Sequence, residues 1–527
     1  MFPLYNRFVA KKKIVIAVWL IFLAAVVVRF LWFRESTYFG FDEARDAFTS
    51  LDIFLKHDWK LIGPPATGNL GLFHGPLFWY FLGPLYLLGR GDVFFVSAVF
   101  RLINAAGVFG VFYIAGNLFT PWVGLVAALF YAVSFEQYQY AMYVGNPTLG
   151  VWCWLSIFIG AVMLYKKDRQ AKWAPALMLA GAALGMQLNL MFAYFFLPVF
   201  LLLFLLRKNI VWDKKSVLAA IGLPLALLAT YFLGEMKRGF LSVKKAVELI
   251  ASGWVIMSPG QTKTAMYLEK FRAMFHDNLL LLPGEGLTIT ALALIMVALL
   301  LKFASKEKPV RLILVWIFAW LFLAPFGGHL AYYTHVGLAV GLLIGSAYLL
   351  GKLRKTRGGW LAYPLILMVM FSNLYLISAQ AKRSLIFQIK PQPDMRLVDE
   401  LAVIDLMYEE AEGKGYTVRL TGIPYRIQTV WAYLFKQYGV PKWGYYPFWE
   451  TGNIEGFAGY MPPPKSGTTC LRYLIREPLK GLPIDIINED IKTENIFSRA
   501  TSKKEIGWFI WEKRQARDTN CHDNKPI

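Results

Sequence analysis

Two adjacent carboxylates follow the first long apolar stretch of the chain. Asp42 and Glu43 open a run, 41–56, in which apolar residues recur with helical spacing and polar residues share the opposite stripe, a pattern that predicts a helix at a membrane surface. A carboxylate fixed at such a helix start is a pre-positioned general base. The structural alternative is Asp42 as the helix N-cap, with Glu43 favoured by the helix dipole. The apolar stripe holds Ala44, Ala47, Phe48, Leu51, Phe54 and Leu55, and the polar stripe holds Asp42, Arg45, Asp46, Thr49 and Lys56.

A histidine lies farther along the same loop, before an aromatic segment. The run 68–80 contains His74-Gly75-Pro76-Leu77, and Pro76 predicts the start of a short helix, because proline is favoured at the first helical position. His74 is either a surface or capping residue, or a second polar group that faces the Asp42–Glu43 pair.

The composition places these residues in a membrane protein. Of 527 residues, 57% are apolar and 17% are charged, and the mean hydropathy is +0.46. Soluble domains are about half apolar and about a quarter charged, so these values exclude an ordinary cytosolic enzyme, a disordered scaffold and a disulfide-stapled secreted module. The three cysteines lack the close pairs of a zinc site.

About eleven apolar stretches predict membrane spans. The first follows four basic residues and precedes no cleavage site, so we interpret it as an uncleaved span and not as a signal peptide. The segment 76–88 is short for a span and contains Pro84, and we expect it to lie in the outer interface or to dip into it. The predicted spans are 14–33, 94–119, 121–135, 148–165, 173–189, 192–206, 216–234, 287–303, 310–327, 331–350 and 360–379.

The basic residues indicate the orientation of these spans. With a cytoplasmic N-terminus, five clusters of four basic residues fall in cytoplasmic loops, in agreement with the positive-inside rule. The formal charge of +21 therefore mostly reflects membrane orientation, and no nucleic-acid partner is expected. We expect a multi-pass protein of the cell (plasma) membrane.

Three segments then face the outside. They are a first outer loop, 34–93, a second outer loop, 235–286, and the part of the chain from 380 to 527. The last part alternates strand-like runs (416–422, 469–476, 506–513) with helix-like runs (395–412, 427–438), which predicts a soluble α/β domain. Cys470 and Cys521 could pair there if the compartment is oxidising. The predicted fold class is an α-helical polytopic membrane protein, 1–379, with an extracytoplasmic α/β domain at its C-terminus.

These features together resemble the glycosyltransferase C superfamily. The resemblance is closest to the branch that holds protein O-mannosyltransferases and the lipid A aminoarabinose transferase, especially their bacterial relatives. Its specific residues are the runs Asp42-Glu43-x-Arg45 and His74-Gly75-Pro76-Leu77. Aminoarabinose transferases have a Glu-Lys-Pro run where this chain has His74-Gly75-Pro76.

The resemblance implies an enzyme that transfers a sugar from a polyprenyl-phosphate carrier to an acceptor hydroxyl, with inversion at the anomeric carbon. Asp42 would be the general base, and Glu43 would orient it or help to hold a cation. Arg45 would lie near the donor phosphate; its structural alternative is an ion pair with Asp42 or Asp46. Metal dependence is left open, with Glu43 and His74 as candidate ligands of a divalent ion.

The departing phosphate also requires cationic partners. In the second outer loop, Lys263 and Lys270 are candidate phosphate ligands, with binding of lipid headgroups as the alternative. They lie on a predicted interfacial helix, 262–275, whose Tyr267, Phe271, Met274 and Phe275 are expected to face lipid. Polar residues near the outer ends of spans could line a cavity that opens toward the first loop, among them Glu136, Gln187 and Asn189.

Other functions remain open from the sequence. The rivals are a transporter or flippase of polyprenyl-linked lipid or sugar, and an oligosaccharide polymerase or ligase. A transporter usually carries ionisable residues near the midplane, whereas the acids here concentrate in the predicted outer segments. The expected partners are a polyprenyl-phosphate-linked sugar, membrane lipid and an acceptor that is a protein, a glycolipid or a glycan.

Overall fold

The structure is a computed structural model of the chain. It describes residues 2–524 except the following: 67–70, 168, 253–261, 280–286, 327–334, 381–391, 393, 426, 451–458, 460, 462–468 and 479–482. Within these bounds most of the buried apolar side chains form one continuous cluster, which runs from the first helix to the last strand.

The N-terminal part of the chain is helical, because its long apolar runs bury their backbone hydrogen bonds most completely as helices. Each of the eleven predicted spans contains a helix, and α4 is a twelve-residue helix with Pro84 inside it. The helices are α1 (Phe2–Phe30), α2 (Phe33–Ser36), α3 (Phe41–Leu55), α4 (Leu77–Leu88), α5 (Val93–Leu118), α6 (Pro121–Val133), α7 (Phe135–Met142), α8 (Gly150–Lys166), α9 (Ala174–Leu188), α10 (Phe196–Leu206), α11 (Lys214–Lys237), α12 (Leu241–Ala251), α13 (Lys263–His276), α14 (Leu287–Ala304), α15 (Lys308–Ile317), α16 (Leu338–Leu353) and α17 (Ala362–Gln380).

Several of these helices are long and apolar enough to cross a membrane. Among the described residues there are six such segments: Lys12–Phe30, Val93–Leu118, Asn146–Lys166, Leu190–Asn209, Lys214–Lys237 and Gly359–Ala379. Shorter apolar helices occupy other predicted spans, so the chain is a multi-pass membrane protein and the number of eleven spans stays a prediction.

Two buried arginines join the helices next to the first outer loop. Arg29, near the end of α1, donates Nε to Asn104 Oδ1 (3.0 Å) and Nη2 to the Tyr131 carbonyl (2.9 Å). Arg101 donates Nη1 to the Arg29 carbonyl (2.6 Å) and Nη2 to Ser36 Oγ (3.1 Å). Carbonyls at helix ends have no intrahelical donor, and the two guanidinium groups supply donors for them. They hold the end of α1 against α5 and α6 and so fix where the first outer loop begins.

The C-terminal part forms a five-stranded sheet with helices, which confirms the predicted α/β fold, although β2 and β4 were not predicted. The strand order is β2-β1-β3-β5-β4; β1 is parallel to β2 and β3, and β5 is antiparallel to β3 and β4. Cys470 and Cys521 form a disulfide. The elements are α18 (Leu397–Ala411), β1 (Tyr416–Thr421), α19 (Thr429–Leu434), a π-helical turn (Phe435–Gly439), α20 (Val440–Trp443), β2 (Phe448–Trp449), β3 (Leu471–Arg476), α21 (Ile484–Phe497), β4 (Ser498–Ile506) and β5 (Phe509–Ala516).

The predicted strand over 506–513 is wrong at its start. The chain turns at Gly507, whose φ of +57° favours glycine, and this turn separates β4 from β5. The polar run of β4 carries no alternating apolar pattern, because β4 is an edge strand with most of its side chains exposed.

The α/β domain lies directly on the first outer loop. The Phe39 N–H donates to the Met395 carbonyl (3.1 Å), and the Leu397 N–H donates to the Thr37 carbonyl (2.9 Å). Tyr433 of α19 donates its hydroxyl to the Gly91 carbonyl (2.9 Å). The segment before α3 and the turn after α4 are therefore bound to the C-terminal domain.

Candidate active site

Helix α3 begins one residue before Asp42. Its N-cap is Gly40, and the Gly40 N–H donates to Glu43 Oε2 (3.1 Å). The alternative in which Asp42 caps the helix is therefore wrong: the capping carboxylate is Glu43, reaching back three residues. Asp42 lies in the first turn, and its side chain is 47% exposed. Glu43 thus stabilises the start of the helix, whereas the side chain of Asp42 stays partly exposed to solvent.

Arg45 joins Asp42 to a second carboxylate on the same helix. Its Nη1 donates to Asp42 Oδ1 (2.9 Å), and its Nη2 donates to Asp46 Oδ1 (2.8 Å). Trp79 of α4 donates Nε1 to the same Asp46 oxygen (2.8 Å). Asp46 is only 2% exposed, so its expected place on a solvent-facing stripe is wrong. The ion pair that the sequence offered as the structural alternative for Arg45 is present.

Charge balance at this cluster depends on Arg45. Burial raises the pKa of Asp46, while Arg45 and the Trp79 hydrogen bond lower it in part. Burial lowers the pKa of Arg45, but the carboxylates of Asp46 and Asp42 outweigh it and the pKa is raised overall. Arg45 therefore stays a cation. Its guanidinium bonds to both Asp46 and Asp42 and so lies directly beside the exposed carboxylate.

Glu43 faces a different side of α3 from Asp42. Its side chain is buried, with 1% exposed, and it lies near Glu400 of the C-terminal domain. Burial, followed by neighbouring carboxylates that include Glu43, raises the pKa of Glu400 well above its ordinary value. The structure therefore places Glu43 between the helix start and the C-terminal domain. Its catalytic role stays a prediction.

His74 lies on a tight loop that folds back toward the Asp42–Arg45 pair. The Gly63 N–H donates to the His74 carbonyl, and the His74 N–H donates to the Pro64 carbonyl, both at 2.9 Å. His74 Nδ1 accepts from the Leu190 N–H (3.0 Å), so the neutral ring carries its proton on Nε2. Burial and then the charge of Arg45 lower the pKa of His74 to about 3, against an opposing contribution from Asp42. His74 is therefore a neutral donor within electrostatic range of both residues.

The His74 loop is closed against the end of α9. A Cβ placed on Gly75 would meet Gln187 Oε1 at 1.8 Å, so only glycine fits here. Gln187 is buried and donates Nε2 to the Leu227 carbonyl of α11 (2.6 Å). Asn189, two residues after Gln187, accepts from the Met191 N–H (3.0 Å). This bond turns the backbone so that the Leu190 N–H reaches His74. Gln187 and Asn189 thus adjoin the first loop, while the cavity that they were expected to line stays a prediction.

His74 should make the folded protein less stable in acid. Its folded-state pKa lies below the ordinary value near 6.5, so the unfolded chain binds the proton first as the pH falls. The stability is then greatest above the pKa of the unfolded chain and declines between about pH 6.5 and about pH 3. In this range the equilibrium constant for unfolding rises by up to tenfold for each pH unit that the pH falls. In His74→Asn, whose Oδ1 can still accept from Leu190, thermal melts should lack this part of the decline. His57→Asn, an exposed histidine of the same loop, should keep it; an unchanged pH dependence in His74→Asn would contradict the assignment.

The second outer loop covers the first. Arg238 lies over the Phe73 ring, with Cζ 3.7 Å from the centroid. Ser242 Oγ lies 3.4 Å from the Gly71 carbonyl oxygen and donates to Glu235 Oε1 (2.7 Å). The two outer loops therefore meet next to His74. This contact was not foreseen, because its partners lie more than 160 residues apart.

Of the two candidate phosphate ligands on α13, only one can be placed. The Lys263 side chain lies outside the described residues. Lys270 is half-buried; burial lowers its pKa, and the charges of Glu269 and Asp277 oppose this. The expectation that the apolar face of α13 meets lipid is wrong: Met274 and Phe275 are buried, and the Tyr267 and Phe271 rings pack against Trp320 at 5.3 and 6.4 Å.

A buried polar network follows the end of α13. Asn278 Nδ2 donates to Glu136 Oε2 (2.8 Å), and Ser134 Oγ donates to Asn278 Oδ1 (2.6 Å). Asn373 of α17 donates to the Asn278 carbonyl (3.0 Å). Burial raises the pKa of Glu136 to about 8, although the Asn278 hydrogen bond opposes this. The sequence pointed to Glu136 but gave no signal for Asn278 or Asn373, whose partners are remote in the chain.

The chemistry of the ligand set does not single out a metal site. Among the described residues, no group of three or more His, Cys, Asp and Glu side chains is arranged to hold an ion. Glu43 and His74, the two candidate ligands, are not part of such a group.

The chain is similar to known glycosyltransferases in sequence and in fold. The family model described as dolichyl-phosphate-mannose-protein mannosyltransferase matches residues 73–233, which include His74 but not Asp42. The fold is similar to that of ArnT from Cupriavidus metallidurans, with a TM-score of 0.57 for the apo state at 11% identity, over 96% of this chain and 98% of that one. For the crystal structure of ArnT bound to undecaprenyl phosphate the values are 0.56, 10%, 94% and 97%.

A more distant similarity is to the oligosaccharyltransferase of Archaeoglobus fulgidus. Its apo form gives a TM-score of 0.45 at 13% identity, over 79% of this chain and 63% of that one, so the chain spans less than two thirds of that protein. No curated protein sequence matches the chain. The family match and the ArnT fold confirm the resemblance to the glycosyltransferase C superfamily.

Proposed function

We propose that the protein is an inverting glycosyltransferase that moves a sugar from a polyprenyl-phosphate donor to an acceptor hydroxyl. The observation that carries the proposal is the pairing of a half-exposed Asp42 with Arg45 beside a neutral His74. A carboxylate, a guanidinium and an N–H donor at one surface can serve a proton acceptor, a phosphate and a sugar oxygen, respectively. The ArnT-like fold and the mannosyltransferase family match support the same reaction class.

In the proposed reaction, the acceptor oxygen attacks the anomeric carbon from the side opposite the phosphate. A bond forms between that oxygen and the anomeric carbon, and the bond from the anomeric carbon to the phosphate oxygen breaks. The acceptor proton passes to Asp42, and the bonding electrons leave with the polyprenyl phosphate. A sugar hydroxyl is a poor nucleophile, so a carboxylate within hydrogen-bond reach speeds the step by about 10²–10⁴-fold.

The leaving phosphate gains charge and needs cations more than it needs an acid. Arg45 supplies the nearest one, and Lys270 and Lys263 on α13 would add others from the second outer loop. The neutral His74 would donate from Nε2 to an oxygen of the sugar or the phosphate. Glu43 acts as a positioning residue, because its bond to the Gly40 N–H fixes the first turn of α3 and with it Asp42.

We also propose that 1–379 forms the catalytic membrane domain and 380–527 an extracytoplasmic domain that supports the site. The Tyr433 ring packs against Phe39, Phe48 and Tyr86, with centroids 5.3, 5.1 and 6.0 Å away. Phe39 and Phe48 lie immediately before α3 and within it. The domain therefore braces the helix that carries Asp42. The orientation proposed is outward, at the cell membrane, with the N-terminus in the cytoplasm.

Removing the Tyr433 ring should loosen α3 and lower transfer. We expect Tyr433→Ala to destabilise the protein by about 3 kcal/mol, the range for a large buried ring, and to expose the segment around α3 to protease. Tyr433→Phe loses only the bond to Gly91, for about 1 kcal/mol. Tyr438→Ala is the matched control, because Tyr438 bonds to Asp405 within the same domain. Equal activity and equal proteolysis of the Tyr433→Ala and Tyr438→Ala proteins would contradict the bracing role.

The test of the proposed function is direct product analysis. Purified protein is incubated with a panel of polyprenyl-phosphate sugars and crude envelope acceptors, and products are identified by mass spectrometry. We expect one donor to yield an acceptor heavier by one sugar residue. No transfer from any polyprenyl-phosphate sugar, by protein whose fold is verified, would contradict the proposal; transfer of a preassembled oligosaccharide would indicate a ligase.

A further inference from the structure

A large polar cavity lies at the other end of the helix bundle from Asp42. Its volume is about 770 Å³, and it is formed by the start of α6, the end of α8, the start of α15 and the end of α16. Helix α6 separates the two places: Thr120 at its N-cap and Trp122 in its first turn line the cavity, and its last residue is followed by the Glu136 network near the outer loops. Thirteen residues at about 1.5 Å each put roughly 20 Å between them.

The cavity is strongly cationic. Its lining holds five basic residues and one acid, namely Lys306, Lys308, Lys352, Arg354, Lys355 and Glu307. Glu307 forms an ion pair with Lys352 and also lies within electrostatic range of Lys355, so a single acid faces all five bases. Within the described part of the chain, Lys306, Lys308 and Lys355 form no hydrogen-bonded ion pair. Like charges held around one concave space repel one another, and an anion between them relieves the repulsion.

The walls of the cavity are amphipathic. Arg354 lies over the Trp122 ring, with Cζ 5.0 Å from the centroid, so its guanidinium is held at the rim. Thr120 and Tyr165 add hydroxyl groups, and Phe119 adds an apolar wall. Basic residues scattered over a loop need no ligand to explain them, since the positive-inside rule accounts for them. Here, however, they surround a space large enough for a headgroup, with an aromatic edge where a lipid tail would leave.

We propose that this cavity binds a phosphate group, carried by an anionic lipid headgroup or free in solution, at the membrane face opposite the Asp42 site. The lysines at 306, 308 and 355 hold the phosphate oxygens, and Trp122 packs against the glycerol or first methylenes of a lipid. The site is independent of the proposed sugar transfer. It requires neither Asp42 nor a polyprenyl donor.

The test uses the full-length protein in detergent micelles, with binding followed by native mass spectrometry. The probes are phosphatidylglycerol, phosphatidylcholine and inorganic phosphate. We expect tighter binding of phosphatidylglycerol than of phosphatidylcholine, and weaker binding by the double variant Lys308→Gln/Lys355→Gln. The expected loss is about 30-fold, from about fivefold per lysine beside an anionic headgroup. Both lysines are exposed, so the melting temperature without lipid should stay unchanged.

A matched variant separates the cavity from the general charge of that face. Lys208→Gln/Lys215→Gln removes two exposed lysines outside the cavity and should bind phosphatidylglycerol like the wild type. Phosphatidylglycerol binding that inorganic phosphate fails to displace would assign the site to lipid, and displacement at equal phosphate concentration would assign it to free phosphate. Equal losses in both double variants, or no preference for the anionic lipid, would overturn the proposal.

Discussion

Asp42→Asn should abolish sugar transfer and leave binding of the lipid donor largely intact. Asn fills the same space and can still accept from Arg45, but it cannot take the acceptor proton, so we expect a loss of at least about 100-fold in kcat. Because Asp42 is half-exposed in the first turn, and Gly40 and Glu43 cap the helix without it, the fold should persist. The measurement is the rate of transfer to acceptor, with donor affinity measured separately.

Asp52 offers a matched control on the same helix. It is partly exposed and pairs with Lys56, also through an ion pair within α3. Asp52→Asn should therefore have near-normal turnover, since this carboxylate lies near the other end of α3 and pairs with an exposed lysine. Near-normal turnover of the Asp42→Asn protein would remove Asp42 as the base. A parallel loss in both variants would point to helix stability and not to proton transfer.

Arg45→Gln should lose both stability and activity. Asp46 is 2% exposed and already has a raised pKa, so removing its cation leaves a buried carboxylate paired only with Trp79. Breaking a buried pair in this way costs about 3 kcal/mol. Transfer should also fall, because the departing phosphate loses its nearest cation. Thermal unfolding and the transfer rate are the two measurements.

A double variant separates the two roles of Arg45. In Arg45→Gln/Asp46→Asn the buried charge is gone, and the new amide oxygen can still accept from Trp79 Nε1. Stability should return toward that of the wild type, while transfer stays low if Arg45 acts on the donor phosphate. If transfer recovers together with stability, Arg45 serves only as an ion-pair partner within α3, the alternative that its spacing also allowed.

Local pattern predicted the elements around the site well. The helical spacing over 41–56 predicted α3, and the strand-like runs 416–422 and 469–476 predicted two strands of the sheet. Pro76 predicted the start of α4 to within one residue, since it is the N-cap before Leu77. These features depend on residues close together in the chain. The capping of α3 was wrong by a few residues, because Gly40 has no side-chain signal and the cap comes from Glu43 downstream.

Contacts between segments that are remote in the chain determine which of the predicted side chains are buried, and the sequence alone did not predict these contacts. Asp46 shares the polar stripe with Asp42 but is buried, and Trp79 of α4, remote in the chain, bonds to it. The apolar face of α13 looks the same whether it meets lipid or protein, and Trp320 from a later segment determines which. The environment of His74 also depends on a group remote in the chain, because its ring accepts from a backbone N–H in the turn after α9.

The most direct test of the central claim is a mass balance in one reaction. With the donor identified, purified protein in liposomes is given labelled polyprenyl-phosphate sugar and acceptor, and both the free polyprenyl phosphate and the sugar bound to acceptor are measured. The account predicts equal amounts of the two products and an inverted anomeric configuration in the new bond. Labelled lipid-sugar that crosses the bilayer with no bond formed and no polyprenyl phosphate released would contradict it and identify a transporter.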